Sequence, residues 1–269
     1  MLAKLLKHEF IATARILLPV MLAVLVAGAL MALMSFISGG SVAMATFTGI
    51  FTTLYVIAII GSGAAVLLVI IQRFWTNLLG REGYLMFTLP VKRRDLIISK
   101  LIPAVVWQIV NVIVVAMSLL MIAAAWIPSG TWPTIFQEIM AAKSGLAAAL
   151  PVNAKLAVIA FAVLLVIGLA SNILMAYLSM SLGQLANSGR IVISIAAYFG
   201  IYFAVQIIMT VLLVIIGLID PGYYAGSSEM DAPAVFWGMM AFGAFMSLAW
   251  TAIMYFITER LLHKKLNLL

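Results

Sequence analysis

Apolar residues run in six long stretches separated by short polar or charged intervals. The runs fall at about 17–38, 50–72, 101–127, 155–181, 191–219 and 233–257. Each supplies the roughly twenty residues that a helix needs to cross the ~30 Å hydrocarbon layer of a bilayer. In that solvent the backbone must satisfy its own hydrogen bonds, and a helix does so within one segment. The pattern predicts an all-α integral membrane protein, a single transmembrane domain over residues 1–269 with six transmembrane helices. Residues 1–16 are patterned differently. Lys4, Lys7, His8 and Arg15 fall on one arc of a helical wheel, and Leu2, Leu5, Leu6, Phe10 and Leu17 face the other way. This predicts an amphipathic helix lying at the interface. The apolar run that follows exceeds the ~7–15 residues of a signal-peptide core, so it is expected to remain as an uncleaved span. Glu9 lies near the apolar arc, where it either pairs with an arginine of the loop at 73–100 or reaches back to water.

Composition supports the same class. The chain is 66% hydrophobic and 9% charged, where soluble domains carry roughly 25% charged residues. A soluble fold of 269 residues has too little polar surface to cover so many apolar side chains. The formal net charge is +7, and its distribution gives a topology. Lys4, Lys7, Arg15, Arg73, Arg81, Lys92, Arg93, Arg94, Lys100, Arg190, Arg260, Lys264 and Lys265 fall on one side of the six spans, and Lys143 and Lys155 on the other. Basic residues collect in the cytoplasm, which predicts that both termini are cytoplasmic. The chain has no long polar basic face of the kind that binds nucleic acid, so no nucleic-acid partner is expected. It has no cysteine, which excludes thiol chemistry and cysteine-based metal sites. Within the boundaries given, no ionisable residue lies deep in a span, which argues against ion-coupled carriers and voltage sensors. Neither H-E-x-x-H nor G-x-x-x-x-G-K-[ST] occurs. No catalytic residue, metal ligand or cofactor site is therefore expected, and the chain is not expected to be an enzyme.

The stretch 73–100 holds six of the fifteen Lys and Arg, offset by Glu82 and Asp95. Gly80 and Gly83 bracket a turn or helix start, Tyr84, Leu85, Met86 and Phe87 form a compact apolar patch, and Pro90 breaks the chain. A helix that docks in a groove needs a few apolar anchors and a charged rim. Tyr84, Leu85, Met86 and Phe87 fit the anchors, and Arg81, Glu82, Lys92 and Arg93 fit the rim. The simpler reading is a basic loop that only fixes topology. Inside the spans the polar residues are neutral: Gln108 and Asn111 in the third, Asn172 in the fourth. Ser194, Tyr198, Tyr202, Gln206 and Thr210 recur every four residues along the fifth. Such a stripe faces protein or a cavity rather than lipid. It either bonds helices together or walls a path for an amphipathic substrate, with Gln108, Asn111, Asn172, Tyr198, Tyr202 and Gln206 as path candidates. The outer segment 128–154 holds Trp132, Ile135, Phe136, Ile139 and Met140, a pattern that fits a short amphipathic helix on the outer leaflet.

The run Gly80-Arg81-Glu82-Gly83-Tyr84-Leu85-Met86-Phe87-Thr88-Leu89-Pro90-Val91, continuing to Ser99-Lys100-Leu101, resembles the cytoplasmic loop of type-2 ATP-binding cassette exporter permeases. Ser181-Leu182-Gly183-Gln184-Leu185-Ala186, ahead of the fifth span, is also similar to bacterial members of that family. With the amphipathic first helix and six spans, the resemblance covers essentially the whole chain. It implies a permease of the bacterial cytoplasmic membrane that works with a second permease copy or a paralogue. Two separate ATPase subunits would bind the ATP and magnesium, and Glu82–Leu89 would be a coupling helix seated in an ATPase groove. The expected cargo is hydrophobic or amphipathic: a peptide, a drug or a lipid. Two other readings remain, an ATP-independent carrier or channel and a non-transporting scaffold or sensor.

Overall fold

The structure is a computed structural model that describes residues 2–37, 42–79, 93–127, 129–149, 154–186, 188–219 and 232–264. Among these residues the fold is all-helical, without strands. Seven α-helices follow in order: α1 (Leu2–Ile37), α2 (Val42–Phe74), α3 (Arg93–Trp126), α4 (Trp132–Ala149), α5 (Ala154–Gly183), α6 (Arg190–Ile219) and α7 (Ala232–Lys264). A π-helical turn, Trp75–Leu79, continues α2, and a short 3-10 turn, Ser129–Thr131, precedes α4. Six helices, all but α4, are long and apolar enough to cross a membrane. Their cores coincide with the six runs read from hydropathy.

Residues 2–16 are not a separate element. α1 runs without a break for 36 residues, about 54 Å at 1.5 Å per residue, so it exceeds the hydrocarbon thickness by many residues. Pro19 lies inside it. The helix buries one stripe, Glu9, Thr13, Leu17, Met21, Val24, Gly28 and Met31, at spacings of four and three. Lys4, Lys7, His8 and Arg15 are outside that stripe, and all four are exposed. The basic arc therefore stands away from the packed face as its period requires, while Glu9 belongs to that face.

The chain divides into two compact units. The first comprises Met1–Phe74 and Pro90–Ala141, in which α1 packs against both α2 and α3. Its cross-helix contacts give the directions. Glu9 meets Lys100, Thr13 meets Trp107, and Gly28 abuts Ser118, so α1 and α3 run parallel. Arg73 reaches Ala12, and Thr52 reaches Met31, so α2 runs antiparallel to α1. The start of α1, the end of α2 and the start of α3 thus share one end of this unit. In the middle, Tyr55 and Ser118 share a hydrogen bond of 2.8 Å. A Cβ at Gly28 would stand 3.0 Å from Ser118 Cβ, tighter than ordinary van der Waals contact, so α1 and α3 approach closely at this glycine.

The second unit comprises Trp75–Leu89 and Ala142–Leu269, with α5 packed against α6 and α7. Ile173 to Ser181 on α5 are all buried, as in a helix surrounded on every side. The chain leaves α5 through a tight turn closed by Gln184 N–H to Met180 C=O (3.2 Å) and Leu185 N–H to Leu182 C=O (3.1 Å). Gly189 has a φ of 67°, a left-handed conformation that favours glycine, and its carbonyl accepts the first helical bond of α6 from Ile193. A Cβ at Gly183 would lie 2.6 Å from the Arg190 carbonyl oxygen and closer still to Ser194 Oγ. The Ser181–Ala186 motif is therefore a site where α6 presses onto the end of α5.

Candidate functional site

Two polar arrangements stand out against the apolar background, one in each unit. In the first unit, Glu9 and Lys100 form an ion pair, and both side chains are buried. One turn further along α1, the Thr13 hydroxyl donates to the Glu9 carbonyl at 2.7 Å and accepts from the Trp107 indole N–H at 2.8 Å. Arg73 donates from Nη2 to the Ala12 carbonyl at 3.1 Å. These contacts tie α1 to the end of α2 and to the first turns of α3. They flank the segment 80–92, which joins α2 to α3.

This extends the sequence reading of Glu9 and Lys100. Glu9 pairs with Lys100, which that reading did not name, and Lys100 is a packed residue of α3. An ion pair taken out of water recovers its desolvation only when its geometry is good, so it signals a fixed arrangement more than added stability. Arg81, Glu82, Tyr84, Leu85, Met86, Phe87 and Lys92, the expected anchors and rim, lie outside the described residues. Arg93 opens α3. Gln108 is half-buried on α3, and Asn111 is buried with its Oδ1 lacking a hydrogen-bond partner among the described residues.

In the second unit, α5, α6 and α7 enclose an open cleft of about 220 Å³. Three path candidates from the sequence, Asn172, Tyr202 and Gln206, line it together. Tyr198 stands beside them, its hydroxyl directed at Asn172 Oδ1 over a long 3.4 Å. The remaining members of the α6 stripe are satisfied within their own helix: Ser194 donates to the Arg190 carbonyl and Thr210 to the Gln206 carbonyl, each at 2.8 Å. Such back-bonding lets a hydroxyl sit in an apolar helix without a partner elsewhere. The stripe is therefore not one device. Its middle opens on the cleft and its ends close on the backbone.

No family model, curated protein or solved structure matches the chain. The cleft has to be read from its own chemistry. Much of its wall carries no mark in the sequence: Met175 from α5, Met209 from α6, and Met246, Trp250 and Met254 from α7. On α7 these three recur every four residues, a helical stripe that reads as ordinary core when α7 is taken alone. The Trp250 indole N–H is buried and meets no acceptor among the described residues. No lining residue carries a formal charge. The arrangement offers soft apolar contacts, aromatic faces, hydroxyls and amide hydrogen bonds.

Proposed function

We propose that this chain is the membrane-spanning permease subunit of an ATP-binding cassette exporter in a bacterial cytoplasmic membrane. In this reading both termini are cytoplasmic and the basic arc of residues 2–16 rests at the membrane interface. The chain pairs with a second copy or a paralogue, and separate subunits hydrolyse ATP. The reading rests first on the clamp of Glu9, Thr13, Arg73, Lys100 and Trp107. A loop that receives a push must be mounted so that the push moves helices rather than slack chain. Arg73 near the end of α2 and Lys100 near the start of α3 are both held to α1 by polar contacts, so force transmitted along either helix would carry α1 with it. A loop that only fixes topology has no need of such a mount. The loop sequence supports the same role, with four consecutive apolar side chains inside a basic rim.

The test is co-purification in mild detergent from the native membrane. The wild-type chain is expected to bring down a subunit carrying a Walker motif, and the Tyr84→Ala/Phe87→Ala double variant is expected to lose it while still inserting. Absence of any such subunit from the wild-type preparation would remove the exporter reading. An ATP-independent carrier or a scaffold would then stand in its place, to be separated by flux through liposomes that hold the chain alone.

A further inference from the structure

We propose that the cleft between α5, α6 and α7 binds the ring-bearing part of an uncharged amphipathic molecule. Gln206 lies near the middle of the 30-residue α6, a helix long enough to span the membrane, and its side chain is exposed in the single chain. Asn172 faces the same cleft and is also exposed. Beyond the long contact of Asn172 Oδ1 with Tyr198, these amides need hydrogen-bond partners, because hydrocarbon supplies none. A ligand bearing a carbonyl or ether oxygen and a hydrogen-bond donor would supply them.

The rest of the wall narrows the class. Four methionines, Met175, Met209, Met246 and Met254, give polarisable, unbranched side chains that adapt to irregular apolar shapes. Tyr202 and Trp250 add flat faces suited to a ring. A ligand charge would be stripped of water here with no counter-charge in the lining, so a neutral molecule is favoured over an anion or a cation. The volume of about 220 Å³ is below the ~300–1,000 Å³ of sites that enclose a whole drug-sized ligand. The cleft therefore takes one end of such a molecule and leaves its tail outside. The concave shape suits a small molecule better than a helix of a second copy. As a cargo site the cleft rests on the exporter reading. The binding itself does not.

Because the chain lacks cysteine, a single Ser247→Cys change puts a unique thiol on the cleft wall. The experiment uses the full chain in lipid nanodiscs without any ATPase, so its outcome is separate from that of the exporter reading. The probes are the neutral dye Nile red, a rhodamine cation and an anilinonaphthalene sulfonate anion. Saturable Nile red binding is expected, with protection of the introduced thiol from a maleimide, and neither charged dye should displace it. Gln206→Leu or Asn172→Leu should weaken binding about tenfold, the loss of roughly one hydrogen bond. The proposal is overturned if Nile red binding does not saturate, if a charged dye competes equally, or if the thiol of the Ser247→Cys variant remains fully reactive. It is also overturned if that thiol cross-links two chains regardless of dye, since a second copy would then fill the cleft.

Discussion

Glu9 and Lys100 are 91 positions apart in the chain and meet as a buried pair. Breaking a buried ion pair by removing one member typically costs about 3–5 kcal/mol, whereas replacing both with apolar side chains of similar size is often neutral. Glu9→Gln should therefore lower unfolding stability in detergent by about that amount, and adding Lys100→Met should restore most of it. A double variant as unstable as the single one would show that the pair contributes through more than charge compensation. The sequence made Glu9 conspicuous as an acid near an apolar arc, but it could not name the partner. Helical period places a residue on a face, and only packing decides which face of which helix comes opposite. For the same reason Ser194 and Thr210 look like part of a polar wall when spacing alone is considered. Their hydroxyls bond to carbonyls one turn back on the same helix, an option open to any Ser or Thr and invisible in the pattern.

At the scale of elements, hydropathy placed all six helices that are long and apolar enough to cross a membrane, because twenty consecutive apolar residues admit few other structures. It placed their ends less well. The first run begins at 17 in the sequence reading, and α1 begins at Leu2. A hydropathy scale registers where hydrocarbon ends, and a helix continues past that point if it has an amphipathic extension to bury. The α5–α6 junction shows glycine doing two different jobs within seven residues. Gly183 makes room for α6, and Gly189 supplies the left-handed turn. Gly189→Ala should cost about 1 kcal/mol from its φ alone. Gly183→Val should lower the melting temperature further, because it drives two helices apart, and an equal or smaller fall would contradict the close approach. The helix expected in the outer segment is present as α4, and Trp132, Phe136, Ile139 and Met140 on it are exposed. This stripe fits a bilayer interface. An environment-sensitive fluorophore on Phe136→Cys should emit to the blue of one on Glu138→Cys in liposomes, and matching spectra would place α4 in water.

For the whole molecule, the candidate site was legible only in part. The α6 stripe led to Tyr202 and Gln206, and Asn172 stood out as a lone amide, but the methionines of the cleft carry no signal until three helices come together. The loop was legible in the opposite sense. Its composition marks it strongly, while what the structure adds is the ties from α1 to Arg73 and Lys100, on the helices before and after it. The central claim is that the chain consumes no fuel itself and is moved through that loop by a separate ATPase. The most direct measurement is uphill uptake of a neutral amphipathic dye into proteoliposomes, made with the chain alone and with its co-purified ATPase. Uptake is expected only when the ATPase and ATP are both present. Uphill accumulation by the chain alone, with no nucleotide, would contradict the account.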